Sequence, residues 1–364
     1  MRSPSPRLAI FSLLDWPNAC RWPRPLSDSG FYVESVGHAQ DIVHASSRLA
    51  QRHVIPPEAL SGRPQLQDYL IRLWAEHLPD LILAADDVAV QELDLLHQQI
   101  GARPGLLELT RILVRSLGDP GHTRTLRSKH ATQELAERLG LRTPGQRVCD
   151  HFSEALAFAQ DAGFPVVVKQ EFNWAGLGVR ICRDAEQLAL AWTTLSGQGR
   201  LAVQRYIAGQ SAMSDATSHA GRLLATSMYC KLNIWPDGIG PSCVVRSVDH
   251  PEMLESTRRL ATATGLSGIF SLDFQIDASG QAYLLECNPR PIPTSHLDPR
   301  LFQALRHLLP GGSDVVIGQP PIPREIILFP KELRRDPRSS YFATAHHDVP
   351  WDEPELIPRL MAHP

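Results

Sequence analysis

The chain has 364 residues, 43% hydrophobic and 21% charged, with 36 Lys plus Arg against 39 Asp plus Glu and a formal net charge of −3. That length buries a sizeable core and predicts two or three domains. The balanced charge, with no long run of either sign, gives no electrostatic case for a nucleic-acid or anionic-membrane partner, so specificity has to come from a shaped pocket.

Six cysteines, at 20, 149, 182, 230, 243 and 287, show no C-x-x-C spacing. They predict a reduced cytoplasmic protein rather than a disulfide scaffold or a structural zinc site. Residues 8–14, Leu-Ala-Ile-Phe-Ser-Leu-Leu, follow Arg2 and Arg7 as the apolar core of a signal peptide would. They lack an A-x-A cleavage site and run into Asp15-Trp16-Pro17, so they predict a first strand. No apolar stretch approaches the roughly 18 residues needed to span a bilayer.

Apolar runs at 31–36 and 80–85 alternate with helical patterns and predict an open α/β sheet. Leu66, Tyr69, Leu70, Leu73, Trp74 and Leu78 recur at i, i+3, i+4 spacing, the apolar face of a helix before the third strand. No G-x-G-x-x-G follows these strands, so a bound dinucleotide has no fingerprint. Asp86-Asp87 ends the third strand where such sheets place ligands, but a helix N-cap is the commoner use of acids there, and neither is assigned a role.

Residues 101–121 read helical between Gly and Pro, and 128–139 form an amphipathic helix that stops at Gly140-Leu-Arg-Thr-Pro144, with a domain boundary near 122. A helix at 153–162 precedes the β-branched strand Phe164-Pro-Val-Val-Val-Lys169, and further strands are predicted at 201–207, 223–234 and 242–248. Beyond about 310, Gly311-Gly312 and the prolines at 320, 321, 323, 330, 337, 350, 354 and 358 leave room only for short elements. Ile326-Ile-Leu-Phe329 and Trp351 are expected to anchor this tail on the body; a role as a Pro-rich ligand is the lesser alternative.

Three segments carry chemistry. Residues 271–290 read as two strands joined by a turn at 277–280. Phe270, Leu272, Phe274 and Ile276 share one face, which leaves Asp273 on the other, and Glu286 and Asn288 share a face of the second strand. Two carboxylates and an amide oxygen suit magnesium, which prefers hard oxygen ligands completed by phosphates and water. Their convergence depends on register, because one bulge residue would turn Asp273 away from Glu286, and a solvated polar face is the plain alternative. Lys169 ends a Val-rich strand before a small-residue loop with Gly176 and Gly178, where backbone N–H groups and an ammonium can meet an anion; a hairpin with an edge lysine is the alternative. Val203-Gln204-Arg205-Tyr206-Ile207-Ala208-Gly209 is a strand running into a tight turn, which alone says little.

Together these segments resemble the ATP-grasp superfamily, of the carbamoyl-phosphate-synthase-like and D-alanine–D-alanine-ligase-like kind, across roughly residues 1–300. The resemblance implies an α/β chain, α+β in the clamp. It would have a Rossmann-like domain at 1–122, a small ATP-grasp domain at 123–204 and a large one at 205–310, with a Pro-rich extension at 311–364 packed on the body. It places Lys129 and Lys169 as the phosphate-binding lysines, Gly176 and Gly178 in the loop over the phosphates, and Tyr206 and Ile207 at the adenine hinge. Asp273, Glu286 and Asn288 match the magnesium ligands, with manganese as an alternative ion, and Glu286-Cys-Asn-Pro-Arg290 resembles the E-x-N-P-R signature. Two positions depart: Gln204 replaces the usual glutamate, and Ser211 stands where an acid receives the ribose hydroxyls, leaving Asp215 as the nearest substitute.

The activity so implied is ADP-forming ligation of a small-molecule carboxylate to an amine, with ATP as co-substrate and an acyl phosphate between. Arg290 is expected at the carboxylate; Lys231 and Arg246 are expected near the γ-phosphate or the acid, with solvated surface cations as the equal alternative. No histidine pair marks a general base, and His296 is the one candidate. A kinase-like phosphotransferase and a silent nucleotide-binding regulator are the alternatives. A homodimer is expected only from the general frequency of dimers.

Overall fold

The computed structural model describes residues 5–101, 103–173, 176–235, 240–311 and 324–363. Trp174 and Ala175 of the small-residue loop, and Gly312, Pro320, Pro321 and Pro323 of the tail, lie outside the described residues.

Strands β1 (Arg7–Phe11), β2 (Tyr32–Gly37), β3 (Gln51–Val54) and β4 (Leu81–Ala84) form a parallel sheet in the order β3-β2-β1-β4. β1 is central and β4 is an edge strand, but both are covered on both faces, which explains their near-continuous apolar runs. Leu66, Leu70 and Trp74 of the helix Arg63–Glu76 pack onto the sheet, Trp74 meeting Phe11 edge-on at 6.0 Å. Leu78 lies beyond that helix and is 40% exposed, so the apolar face ends one turn earlier than its spacing predicts. β3 is an addition to the predicted strands: Gln-Arg-His-Val has no apolar alternation, and pairing with β2 alone makes it a strand.

β5 (Gln146–Cys149), β6 (Val166–Gln170), β7 (Val179–Cys182) and β8 (Leu201–Arg205) form an antiparallel sheet ordered β5-β8-β6-β7. Val166 and Val168 enter a core with Phe158, Leu188 and Val203. The two-residue period therefore turns Val167 and Lys169 to the other face.

The third sheet has seven strands: β9 (Gly209–His219), β10 (Arg222–Ile234), β11 (Ser242–Ser247), β12 (Gly268–Asp277), β13 (Ala282–Asn288), β14 (Glu325–Leu328) and β15 (His346–Asp348). Their order is β13-β12-β9-β10-β11-β14-β15. Phe270, Leu272 and Phe274 pack with Met253, Leu260 and Ala261 of the helix Pro251–Thr264. Gly209, at φ 154°, starts β9 so close to β12 that a Cβ would lie 1.9 Å from the Ile276 carbonyl oxygen, so this turn admits only glycine.

The C-terminal segment adds β14 and β15 to the large sheet, with Ile326, Ile327 and Leu328 buried. Trp351, expected as an anchor, is instead 74% exposed; Leu356 and Leu360 hold the segment, packed with Cys20 and Ile42. All six cysteines are free, and no helix among the described residues is long and apolar enough to cross a membrane.

Candidate active site

A cleft of about 950 Å³ is walled by β6 and β7, by β9, β10, β12 and β13, by residues 14–18 after β1, and by the C-terminal segment from Phe329 to Arg334. Among the described residues, seven Lys and Arg side chains line it against three carboxylates, so the cleft suits an anionic ligand.

The late ribbon supplies two of those carboxylates. Asp273 and Glu286 are direct cross-strand partners, and Ser271 pairs with Asn288. A bulge does occur, but after this pair: Phe274 pairs with Leu284, leaving Leu285 as the extra residue. The displacement therefore falls on the turn side and leaves Asp273, Glu286 and Asn288 on one face, all lining the cleft. Asn288 Nδ2 donates to Asp273 Oδ2 at 3.2 Å. Three oxygen-bearing side chains in this arrangement fit a hard divalent cation.

Ammonium groups face them. Ser128 caps the helix Lys129–Arg138 by accepting from the Ala131 N–H, which places Lys129 in the first turn. Its Nζ lies 2.8 Å from Glu286 Oε2 and donates to the Asn173 carbonyl at 2.7 Å. Lys231, on β10, reaches Asp273 Oδ1 at 2.5 Å. Lys169 forms no ion pair or hydrogen bond through its ammonium among the described residues; burial pushes it down to about 8, with Lys129 adding to the shift and Glu286 opposing it. Burial alone would raise Glu286, but Lys129 and Lys169 outweigh it and hold the carboxyl well below the usual range.

Gly176, Gly178, Gln204, Tyr206 and Ile207 also line the cleft. A Cβ on Gly178 would meet Gln170 Oε1 at 2.5 Å and Asn173 Nδ2 at 2.8 Å, so the loop closes tightly on the end of β6. Gln204 is buried and donates to Gln133 Oε1 at 3.3 Å, and Gln133 in turn donates to the Leu284 carbonyl of β13. The donation to Gln133 needs the amide of Gln204, because an ionised carboxylate there has no hydrogen to give.

Arg290 lies in the cleft wall with its donors committed. Nε and Nη2 meet Asp87 Oδ2 at 3.0 and 2.7 Å, Nη1 donates to the Pro291 carbonyl, and the guanidinium stacks on Trp16 at 4.1 Å. The paired acids after β4 thus divide their work. Asp86 caps the helix Asp87–Ile100 and accepts from the Leu13 and Leu14 N–H groups, while Asp87 holds Arg290. Trp16, Asp87 and Lys331 were not among the predicted site residues. Asp86-Asp87 was the only sequence signal near them, because neither a loop tryptophan nor a lysine in a Pro-rich tail marks a site by spacing.

Three expectations are corrected. Asp215 shares a face of β9 with Ser211 and Met213, which do line the cleft, but the turn after β13 roofs it over. Thr294 Oγ1 donates to its Oδ2 at 2.7 Å, and burial pushes the carboxyl up to about 8, so it is no substitute for a ribose-binding acid. Ser211 in the cleft donates to Gln275. Arg246 lies outside the lining and pairs with Glu325 on β14, because Cys243 and Val245 take the inner face of β11 and the alternation sends Arg246 outward. His296 is buried against Asp348 at 2.9 Å, away from the cleft, which removes it as a base candidate.

Residues 128–213 match the family described as carbamoyl-phosphate synthase L chain, ATP binding domain. The match takes in Lys129, Lys169, Tyr206 and Ile207 but ends before Lys231, the oxygen-bearing ribbon and Lys331. The carbamoyl phosphate synthase large chain of Clostridium botulinum (strain Alaska E43 / Type E3) is 29% identical over 166 residues, 43% of this chain and 15% of that protein, so the chain spans only a small part of such relatives. A D-alanine–D-alanine ligase of Ectopseudomonas mendocina is 26% identical over 214 residues, covering 54% of this chain and 65% of that one. Among solved structures, the biotin carboxylase domain of Hydrogenobacter thermophilus 2-oxoglutarate carboxylase, in complex with MgADP, ADP and bicarbonate, superposes with a TM-score of 0.65 at 15% identity. It covers 87% of this chain and 72% of that one, so the likeness of fold extends well beyond the residues of the family match. The chain is thus similar to the carbamoyl-phosphate-synthase ATP binding domain over residues 128–213 and, in fold, to a biotin carboxylase domain.

Proposed function

We propose that this chain is an ATP-dependent, ADP-forming ligase that joins a small-molecule carboxylate to an amine through an acyl phosphate. One observation carries the reading: Asp273, Glu286 and Asn288 share a ribbon face inside a single cleft whose other wall presents Lys129 and Lys169.

Lys129, Lys169 and the backbone around Gly176 and Gly178 would take the ATP phosphates, with the base against Gln204, Tyr206 and Ile207. Asp273, Glu286 and Asn288 would hold magnesium, or manganese in its place. Bound there, the ion supplies charge neutralisation at the phosphate oxygens. The protein's own part is positioning, which supplies most of the catalysis in phosphoryl transfer. The short Lys129–Glu286 and Lys231–Asp273 pairs keep these four charged groups oriented toward one another. A carboxylate oxygen of the acid attacks the γ-phosphorus and the bond to the ADP oxygen breaks. The amine then attacks the acyl carbon, inorganic phosphate leaves with the C–O electron pair, and the amine releases a proton. Arg290, stacked on Trp16 and held by Asp87, is a fixed positive charge beside this path rather than an open fork.

The test is a matrix of acids and amines, with ADP read by a coupled assay and products by mass. ADP release that needs both acid and amine, with an amide product, is expected. Release with an acid or alcohol alone and a stable phosphorylated product would replace the ligase by a kinase-like transferase.

A further inference from the structure

We propose that Lys331 forms an anion subsite at the C-terminal end of the cleft. This subsite takes a carboxylate or phosphate group that the acid substrate carries in addition to its reacting carboxylate. The proposal rests on the ligase reading and names its substrate class: acids with two anionic groups.

Lys331 starts the short helix Lys331–Arg335, directly after Phe329 and Pro330, and all three line the cleft. Lys129 is spent on Glu286, Lys231 on Asp273 and Arg290 on Asp87. Arg334 is spent on the carbonyl oxygens of Leu360, Met361 and His363. Among the described residues, the Lys331 ammonium makes no ion pair or hydrogen bond. Its neighbour Glu332, the obvious partner in sequence, is turned away to Arg335 and Asn233. A cation in a cleft wall without a direct ion-pair partner costs stability, and an anionic ligand in contact with it offsets that cost.

The subsite is separate from the phosphate-facing lysines. The charges that act on Lys169 are Glu286, Lys129 and Asp273, whereas Lys331 is reached by Asp348, Lys231 and the Cys243 thiol. Lys169 sits on β6 of the four-stranded antiparallel sheet, whereas Lys331 opens a helix that packs against β11 and β14 of the seven-stranded sheet. Burial pushes Lys331 down to about 8, so it is still mostly charged near neutrality. Trp16 and Phe329, also in the lining, provide apolar wall for a short carbon chain between two anionic ends.

The experiment compares the full chain with Lys331→Met and Lys331→Arg. Succinate, glutarate and L-glutamate represent dicarboxylates, 3-phosphoglycerate a phosphorylated acid, and butyrate and L-alanine the probes without a second acidic group. Dissociation constants are measured by calorimetry with a non-hydrolysable ATP analogue bound, and ADP release is measured separately. At least one dianionic probe should bind tenfold or more tighter than its control. That advantage should fall to within about twofold in Lys331→Met and return in Lys331→Arg, with nucleotide affinity unchanged. Whether a dicarboxylate or the phosphorylated acid shows it identifies the group. Equal binding of both classes, an advantage that survives Lys331→Met, or no binding of any dianionic probe below 10 mM ligand overturns the subsite. Selective binding without ADP release under any acid and amine pair keeps the subsite and overturns the ligase reading instead. Lys331→Met removes a desolvated charge and is expected to fold, and its melting temperature checks this.

Discussion

Arg290 and Asp87, 203 positions apart, meet through two donors on one carboxylate oxygen, at 3.0 and 2.7 Å, and so fasten the turn after β13 to the helix that follows β4. The guanidinium is only 3% exposed, so Asp87 is its essential counter-charge. Asp87→Ala should destabilise the fold by about 2–3 kcal/mol, the scale of a lost hydrogen-bonded charge pair, and raise KM for the acid. Urea unfolding together with steady-state kinetics checks this. Unchanged stability would show that the pair is not held in solution.

Asp273→Asn and Glu286→Gln each remove one ribbon carboxylate while keeping its shape. Each should lower kcat by roughly 10²–10³, the scale reported for losing one pre-organised electrostatic group. Titration with magnesium should show weaker dependence on the ion than in the parent. Full turnover at saturating substrates in either variant would reject the ribbon as the metal site.

If the proposed phosphate site is right, nucleotide binding should fall as pH rises through about 8, because Lys169 then loses the charge assigned to that site. The groups facing it are Glu286, Asp273 and Lys129. For stability without nucleotide the sign is opposite. The unfolded lysine titrates near 10.4, so between about 8 and 10.4 the unfolded chain binds more protons, and this group's contribution to stability rises with pH. Lys169→Met should flatten both trends while lowering nucleotide affinity. Calorimetry in buffers of different ionisation heat would also detect proton uptake on binding near pH 8.

Asp215→Asn should leave nucleotide affinity within about twofold, because the residue is roofed over by Thr294 and an amide oxygen still accepts that hydroxyl. With the carboxyl raised to about 8, the folded chain binds more protons than the unfolded one from about pH 3.9 upward, so this group costs stability as pH climbs toward 8. Asp215→Asn should therefore match or exceed the parent's melting temperature at pH 8. A tenfold loss of ATP affinity would instead return Asp215 to the ribose.

The sequence by itself determined the α/β start, from the apolar runs that became β1, β2 and β4, and the placement of Asp273 opposite the apolar face of its strand. Strand alternation is a local property that the chain carries wherever it folds, whereas Lys129, Lys169 and the E-x-N-P-R segment were joined into one constellation only by their resemblance to a known family. Tertiary structure alone decided what depends on a neighbour. β3 is a strand only because β2 offers an edge. Asp215 is closed off only because Thr294 lies over it, although its alternation on β9 points it toward the cleft side. The direct pairing of Asp273 with Glu286 needed the bulge to fall at Leu285, a register fact that no local pattern encodes. The meeting of Arg290 with Asp87, and of Lys331 with the cleft, joins segments far apart in sequence, and such contacts follow from packing rather than from periodicity.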